Sequence, residues 1–450
     1  MNAVLLAVLV MLILALARVH VVLALFIGAL VGGLASGIGL ESTMVAFQDG
    51  LSGGAKIALS YALLGAFAMA VASAGLPKLL AEAIMNRIGV DDPTTQRRTV
   101  AATKWLLVLG VLAMSIMSQN LIPVHIAFIP LLIPPLLGVM NRLHLDRRMI
   151  ACVLAFGLVT TYMWIPLGFG SIFLNDILLA NIEAAGLSTA GLNILQVMAI
   201  PALGMFLGLL IAVFISYRKP RTYEDRAVGV QSGEDEPVSR YKLIISLVAI
   251  VAVFVVQMVL QAQDSEADGL LIGSLIGLAI MLGTGAVSWR EADDVFSQGM
   301  KMMALIGFIM ITAQGFASVM RETGEVESLV NASADLIGQN QALGAFVMLL
   351  VGLIVTMGIG SSFSTLPIIT TIYVPLCMAL GFSPAATVAI IGAAGALGDA
   401  GSPASDSTLG PTAGLNADGQ HDHIRDSVIP TFLHFNIPLL VFGWVAAMVL

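Results

Sequence analysis

Charged side chains are scarce in this sequence. Only 11% of its 450 residues are Asp, Glu, Lys or Arg, whereas a soluble globular protein carries about 25%. Charge is missing over long apolar runs, which favours membrane-spanning helices over the alternating pattern of an outer-membrane barrel. The composition therefore predicts an all-α polytopic membrane protein, with the lipid bilayer as its main partner, and excludes a soluble protein.

Cysteine is also nearly absent. Cys152 and Cys377 are the only two, and both lie in apolar runs, where a free thiol usually behaves as a small buried hydrophobe. The sequence has no spacing typical of a disulfide framework or a Cys/His metal site. Basic residues are spread through the loops, so we expect no nucleic-acid partner.

The segment 398–412 is the most informative one. It reads G-D-A-G-S-P-A-S-D-S-T-L-G-P-T and places Asp399 and Asp406 inside an apolar segment, with Gly401 and Pro403 to break the helix. Broken backbone is tolerated at membrane depth only beside protein or a water-filled cavity. Intramembrane carboxylates are costly and generally mark function. We therefore predict a broken helix that forms a solute or ion site.

The side chains of this segment suit a small hard cation. Carboxylates, backbone carbonyls and hydroxyl oxygens are the preferred ligands of such an ion. One carboxylate could instead carry a proton, and an Asp could simply cap a half-helix while the serines satisfy broken backbone. Two acids at one break exceed what capping requires, so we favour the ion site. Its candidate residues are Asp399 and Asp406, as sodium ligands, with Ser402, Ser405, Ser407 and Thr408.

The chain repeats itself weakly. Phe47-Gln48-Asp49-Gly50 matches Phe296-Ser297-Gln298-Gly299, and each half continues with an interrupted double segment and a helix broken near Pro166 or Pro403. Ordered internal symmetry of this kind is typical of transporters built from inverted repeats. We predict about ten transmembrane helices, two re-entrant hairpins near 105–140 and 342–380 and two broken helices, with repeats at 1–216 and 243–450 joined by a cytoplasmic linker at 217–242.

The interruptions of the double segments carry small polar residues. Hydroxyl and amide side chains there would cap the following half-helix and leave backbone amides facing the membrane centre, where a carboxylate or an ion could bind. Ordinary helix packing also favours Gly and Ser, and it is the alternative interpretation. The tip residues that we assign to the site are Ser118 and Asn120 in the first half, and Ser362, Ser364 and Thr365 in the second.

The basic residues fall on one side of the predicted topology. No Lys or Arg precedes Arg18, so we expect a retained first span with its N-terminus outside. Tracing the spans from there puts all but Lys56 and Arg321 of the 20 basic residues on one side, whether each hairpin is re-entrant or crosses twice. Loops on the other side, such as the acidic loop expected at 39–52, are acidic or uncharged. The basic side is then cytoplasmic, and the protein is expected in a bacterial inner membrane.

Other polar residues in apolar stretches have simpler interpretations. His125, His434 and Asn436 are expected to be hydrogen-bonded core residues. His421-Asp422-His423 resembles a metal cluster only superficially, and we expect a short polar cytoplasmic loop there. The first-half break near Thr160–Gly170 has polar groups but no acid, so it is expected to supply neutral ligands.

The motif Gly398–Thr408 is similar to the G-D-x-x-S-P-x-S-D-T-T signature of NhaC-type sodium/proton antiporters, with Ser407 where Thr is usual. The stretches Leu25–Gly75 and from Gly398 to the C-terminus resemble the branch of that family that groups antiporters with amino-acid permeases. The family belongs with the ion transporter superfamily. The resemblance implies inverted repeats, two re-entrant hairpins, two broken helices and a homodimer with elevator-like movement. It also implies ion- or substrate-binding roles for the residues assigned to the site above.

These features predict a secondary active transporter. Sodium/proton antiport is the first choice, with sodium or protons as coupling ions and no other cofactor. The alternative is sodium- or proton-coupled transport of an amino acid such as histidine, or of a small carboxylate, which the hairpin-tip amides would suit equally well.

Other classes of function lack their signatures. Ala396 stands two residues before Gly398, where an intramembrane aspartyl protease has a glycine, so an enzyme is not expected. The sequence contains no P-loop, which argues against an ATP-driven pump. A channel is the remaining class, and the inverted halves favour a carrier.

Overall fold

The computed structural model of the chain describes residues 2–17, 19–75, 93–120, 128–226, 239–263, 267–325, 328, 340–360 and 362–450. Throughout these residues the regular secondary structure is helical, with no strand. The prediction of an all-α protein is therefore confirmed. His125 lies outside the described residues.

The helices of the first half follow one another in a simple order. They are α1 (Ala3–Leu16), α2 (Val21–Ser36), α3 (Gly39–Ser73), α4 (Pro93–Asn120), α5 (Phe128–Arg142), α6 (Arg147–Trp164), α7 (Phe169–Ala184) and α8 (Ala199–Ser216). Three helices come first, and the pair α4 and α5 follows. A 53° bend then separates α6 from α7 before α8 ends the half.

The helices of the second half follow in the same order. They are α9 (Arg240–Ala262), α10 (Gly269–Gly283), α11 (Ala292–Glu322), α12 (Gln341–Ile359), α13 (Ser362–Ala379), α14 (Pro384–Ala396), α15 (Asp406–Leu415) and α16 (His423–Val449). The pair α12 and α13 corresponds to α4 and α5, and the broken pair α14 and α15 corresponds to α6 and α7. The element order thus repeats as an inverted-repeat transporter requires. The boundaries at 216 and 243 stay a prediction.

Local sequence signals set several helix starts. Asp146 and Asp268 cap α6 and α10, each accepting a backbone N–H from the first turn. Ser383 caps α14, and Pro384 occupies its first position, where a missing N–H costs nothing. These caps satisfy amides that would otherwise be unpaired at the helix ends.

Six helices in the described part of the chain are long and apolar enough to cross a membrane: α3, α4, α8, α9, α12 and α16. The bent pair α6 and α7 makes a seventh span, and shorter apolar helices include α1, α2, α10 and α14. A multi-pass membrane protein is therefore confirmed. The number of about ten crossings stays a prediction.

The loop expected at residues 39–52 is wrong, because these residues form the first turns of α3. Phe47 is buried there against the backbone of Gly315 in α11, and its ring meets Phe26 edge-on at 5.0 Å. The packing of Phe47 against α11 stabilises a helix here, although the polar residues and flanking glycines of the segment favour a loop.

The two long helices α3 and α11 cross closely and run antiparallel. A Cβ on Gly65 would stand 2.5 Å from the Gly299 carbonyl oxygen, and one on Gly50 would stand 2.8 Å from the Gly315 Cα. Only glycine permits backbones to approach this closely. Gly50 and Gly299 are equivalent positions of the two repeat motifs, so each repeat places its motif against the long helix of the other.

The described start of the linker, residues 217–226, folds onto the ends of helices from both halves. The Arg147 guanidinium is fully buried and binds the Asp418 carboxylate with two hydrogen bonds of 2.6 and 2.5 Å. The Tyr223 ring lies 4.3 Å from that guanidinium. Arg221 binds Asp426 at 2.8 Å. The linker therefore helps to join the start of α6 to the chain between α15 and α16.

Candidate functional site

The candidate site lies at the break between α14 and α15. Gly398 and Gly401 have φ values of 87° and 116°, a region that L side chains rarely adopt. A Cβ on Gly398 would stand 3.0 Å from the Leu353 carbonyl oxygen, and one on Gly401 would stand 2.6 Å from the Phe432 Cα. The break is therefore packed tightly between α12 and α16, and glycine is required at both turns.

Asp399 is at the centre of this break. Its carboxylate is buried and accepts three hydrogen bonds from hydroxyl groups. Ser405 donates to Oδ1 over 2.5 Å, while Tyr162 and Ser407 donate to Oδ2 over 2.5 and 3.2 Å. Hydroxyls in this arrangement stabilise the ionised carboxylate, and their lone pairs can also coordinate a cation.

Tyr162 connects the two halves of the protein at this point. It comes from α6, and its hydroxyl also lies 2.9 Å from Ser362 Oγ at the start of α13. Because the tyrosine proton goes to Asp399, Ser362 is the donor in the second bond. Tyr162 was missed from the sequence, where a single aromatic residue in an apolar run signals packing. It fits the expectation that the first half supplies neutral groups.

The second carboxylate has a different environment. Asp406 is half-buried and is the first residue of α15. Ser405 caps that helix by accepting the Ser407 N–H over 3.1 Å, while its own proton goes to Asp399. The partial positive charge of a helix start stabilises a carboxylate at this position.

Two of the predicted hydroxyls satisfy the broken backbone. Thr408 Oγ1 donates to the carbonyls of Ser402 and Ser405, over 2.5 and 2.9 Å. Ser402 Oγ accepts the Ala404 N–H over 3.2 Å. Both side chains are buried, and their described bonds match the capping interpretation rather than contact with Asp399.

The tip of the first hairpin lies against the first-half break. Asn120 Nδ2 donates to the carbonyls of Ile165 and Leu167 over 3.1 and 3.0 Å, and so holds the chain between α6 and α7. Ser118 Oγ donates to a carbonyl of its own helix. Asn120 Oδ1 and Thr160 Oγ1 are buried oxygens with no hydrogen-bond partner in the described part of the chain. Oxygens of this kind are suited to a polar ligand.

The second hairpin tip is described in part. Thr365 is fully buried on α13. The side chain of Ser364 lies outside the described residues. Gly360 ends α12 in a left-handed conformation and lies next to Ala404, so this tip meets the break directly.

Asn436 of α16 holds the break on either side of Asp399. Its Oδ1 accepts the Gly398 N–H over 2.9 Å, and its Nδ2 donates to the Ala400 carbonyl over 2.6 Å. One amide can do both because it carries a donor and an acceptor. The sequence indicated only a core residue, since nothing in it relates position 436 to position 398.

Of the short polar loop expected at His421-Asp422-His423, the first two residues lie outside helices, while His423 begins α16. Both histidines are buried. No group of three or more His, Cys, Asp or Glu side chains in the described ranges could hold a metal ion. His421 Nε2 lies 2.8 Å from Ser427 Oγ, and burial lowers the pKa of His421 to about 3, against the opposing charge of Asp426.

This low pKa predicts a pH-dependent stability. The unfolded chain binds a proton at position 421 below about pH 6.5 and the folded chain does not, so stability falls as pH decreases from 6.5 toward 3. Between pH 8 and pH 5, the wild-type protein is expected to lose about 2 kcal/mol more than His421→Gln. Denaturant unfolding in detergent at both pH values measures this, and parallel losses in the two proteins would contradict it.

Known proteins match this chain over its whole length. A model described as "Na+/H+ antiporter family" matches residues 153–444, and one described as "Na+-H+ antiporter family" matches residues 2–88. An uncharacterized membrane protein of Vibrio parahaemolyticus is 52% identical over 100% of both chains. A Bacillus subtilis protein named "Putative amino acid transporter YuiF" is 53% identical, also over 100% of both chains. The solved YdaH transporter of Alcanivorax borkumensis is 14% identical, with a TM-score of 0.38 over 91% of this chain and 88% of that one.

Proposed function

This chain belongs to the Na+/H+ antiporter family, and from that premise we infer that it is a cation-coupled secondary transporter that exchanges sodium for protons. The observation that carries the assignment of the site is the buried Asp399 carboxylate, with Tyr162, Ser405 and Ser407 around it. A buried carboxylate can exchange a proton for a cation because each neutralises the same charge.

In the proposed mechanism, Asp399 holds either a proton or a sodium ion. When sodium binds, the hydroxyls of Ser405 and Ser407 turn their lone pairs toward the ion, and Asp406 adds a second negative charge nearby. When a proton replaces sodium, the neutral carboxyl group needs no counter-charge. Because the two ions compete for one site, movement of one is coupled to counter-movement of the other.

We assign the movement to the helices that carry the site. The long helices α3 and α11 pack along each other with α1, α2, α9 and α10 beside them, while the hairpins and broken helices pack together as a second group. In this proposal the second group moves across the membrane against the first, as in an elevator. We propose a homodimer in a bacterial inner membrane as its setting, with the basic linker side in the cytoplasm.

A second candidate is cation-coupled transport of an amino acid or small carboxylate. It is favoured by the name of the Bacillus subtilis relative and by Asn120 Oδ1 and Thr160 Oγ1, which have no hydrogen-bond partner among the residues that the structure describes. Those oxygens could accept hydrogen bonds from an ammonium group. The coupling ion would then occupy the Asp399 side of the site.

Transport by purified protein in proteoliposomes distinguishes the two candidates. An inward sodium gradient is expected to move protons outward, as a saturable response of an internal pH dye that potassium does not produce. The same vesicles are offered a panel of labelled amino acids and carboxylates, including histidine. Sodium-driven uptake of one of them without proton exchange would replace the first candidate by the second.

A further inference from the structure

We propose that the cavity beside His423 is the cytoplasmic entrance to the site, and that His423 is the positioning residue at its inner end. This inference rests on the proposed function, because it concerns how ions reach the Asp399 break and how that break keeps its shape.

The cavity has a volume of about 550 Å³ and lies between the two groups of helices. One wall is the turn between α1 and α2, with His20 and Val21, and Ile309 of α11. The opposite wall is the chain around His423 and Ile429 at the start of α16. A space bounded by both groups changes shape when one group moves against the other, as an entrance must.

His423 separates this cavity from the broken segment. Its Nε2 lies 2.9 Å from the Pro403 carbonyl oxygen, and its Nδ1 lies 2.8 Å from Thr412 Oγ1. Because a carbonyl only accepts, the neutral ring carries its proton on Nε2 and leaves Nδ1 as an acceptor facing the Thr412 hydroxyl. The single proton of that hydroxyl is shared between Nδ1, the Thr408 carbonyl at 2.9 Å and Ser427 Oγ at 2.8 Å. The ring therefore bridges the break to the half-helix α15, and the side chain is buried.

The bridge encloses two of the hydroxyls that bind Asp399. Ser405 and Ser407, with Asp406 between them, lie between Pro403 and Thr412 in the chain. Asn436, also on α16, holds the other end of the break at Gly398 and Ala400. Because α16 holds both ends of the break, the Ser405 and Ser407 hydroxyls stay within hydrogen-bond distance of the Asp399 carboxylate. Loss of the His423 bridge should therefore lower the affinity for the cation while the rest of the fold is retained.

The cavity opens on the basic face of the protein. Its Asn416 and Arg425 flank the turn that contains Gln420, and Gln420 accepts the Glu224 N–H of the linker over 2.8 Å. The buried Arg147 binds Asp418 of this turn. Basic residues of multi-pass proteins concentrate on the cytoplasmic side, which assigns the entrance to that side.

Single-cysteine labelling tests the entrance without measuring transport. Cys152 and Cys377 are fully buried, so they should not react with a membrane-impermeant maleimide. Ile429→Cys is expected to react in inside-out vesicles only, while Ser188→Cys, exposed in the loop before α8, should react in right-side-out vesicles only. Reaction of Ile429→Cys from both sides, or from the side that labels Ser188→Cys, would overturn the proposal.

Kinetics of three variants test the positioning role. His423→Ala removes both bonds and is expected to raise the sodium KM about tenfold, with a smaller change in the maximal rate. His423→Gln keeps a donor for Pro403 and should recover most of that loss. His434→Ala is the matched control: this buried histidine of α16 bonds to Ser216 and the Pro430 carbonyl, away from the break, so its KM should match wild type.

The outcomes separate two kinds of failure. Equal KM values for His423→Ala and wild type, or an equal rise in His434→Ala, would overturn the positioning role. If His423→Ala does not fold, an unchanged KM in Thr412→Val would overturn the positioning role. That variant removes the Nδ1 bond together with the Thr412 contacts to the Thr408 carbonyl and Ser427 Oγ, and it leaves the bond to Pro403 in place. Absence of sodium-dependent transport in the wild type would instead reject the proposed function, and the labelling result would still decide the entrance.

Discussion

Asp399→Asn is expected to lower sodium-dependent proton exchange by about 100-fold or more, because it removes the charge that sodium and the proton share. The substitution also turns an amide N–H₂ toward hydroxyls that now donate to a carboxylate. Charge-assisted hydrogen bonds contribute about 1.5–3 kcal/mol each, and about 2.7 kcal/mol is already a factor of 100. The measurement is the initial rate of the pH-dye response in proteoliposomes at saturating sodium.

Three further variants make this result specific. Asp406→Asn is also expected to abolish exchange, because the second acid adds negative charge beside the ion. Tyr162→Phe keeps the ring and removes one donor, so a loss of about tenfold is expected. Asp176→Asn, on an exposed position of α7, is the matched control and should transport like wild type. Full activity in both Asp399→Asn and Asp406→Asn would exclude this break as the ion site.

Asp418→Asn is expected to lower the free energy of unfolding by about 3–5 kcal/mol, the usual cost of leaving a buried charge without its partner. Arg147 has no exposed surface, and its other hydrogen bonds go to the Leu415 carbonyl and to Asn141 Oδ1. Burial alone would raise the pKa of Asp418, but the hydrogen bonds and charge of Arg147, together with the hydrogen bonds from Gln420, outweigh burial and lower it. The pair therefore stabilises the fold above about pH 4, and this stabilisation is lost as pH falls further.

Denaturant unfolding in detergent at pH 7.5 measures the effect. Replacing both partners by apolar residues, in Arg147→Met with Asp418→Leu, should recover most of the loss because no buried charge is left. Glu224→Gln breaks the exposed pair with Arg226 and should change stability by less than about 0.5 kcal/mol. A loss as small in Asp418→Asn as in Glu224→Gln would show that the buried pair does not hold α6 to the end of α15.

The placement of the site on a broken helix could be predicted from local chemistry. Gly398, Gly401 and Pro403 disfavour a continuous helix, and a charged Asp399 is costly in lipid, so residues close in sequence already favour the break. The same holds for the interruption of α6 and α7 near Pro166. Local chemistry was not sufficient at residues 39–52, where a loop was expected. These residues are helical because Phe47 is buried against α11.

The partners of the buried polar groups could not be predicted in the same way. Tyr162 and Asp399 are 237 positions apart, and Arg147 and Asp418 are 271 apart. The partner of a buried polar group depends on which helices pack together and on how they are aligned along their axes. An apolar segment with a single tyrosine or asparagine does not indicate either.

By itself, the sequence determined the membrane class, the all-helical fold, the two breaks and the acids at the second break, since these follow from hydrophobicity, helix breakers and the cost of buried charge. Only the tertiary structure decided that Asp399 rather than Asp406 receives the hydroxyls, that Ser402 and Thr408 serve the backbone, and that Asn436 and His423 hold the break. The physical reason is that a buried polar group must find its partner in space. That partner is set by packing between distant helices.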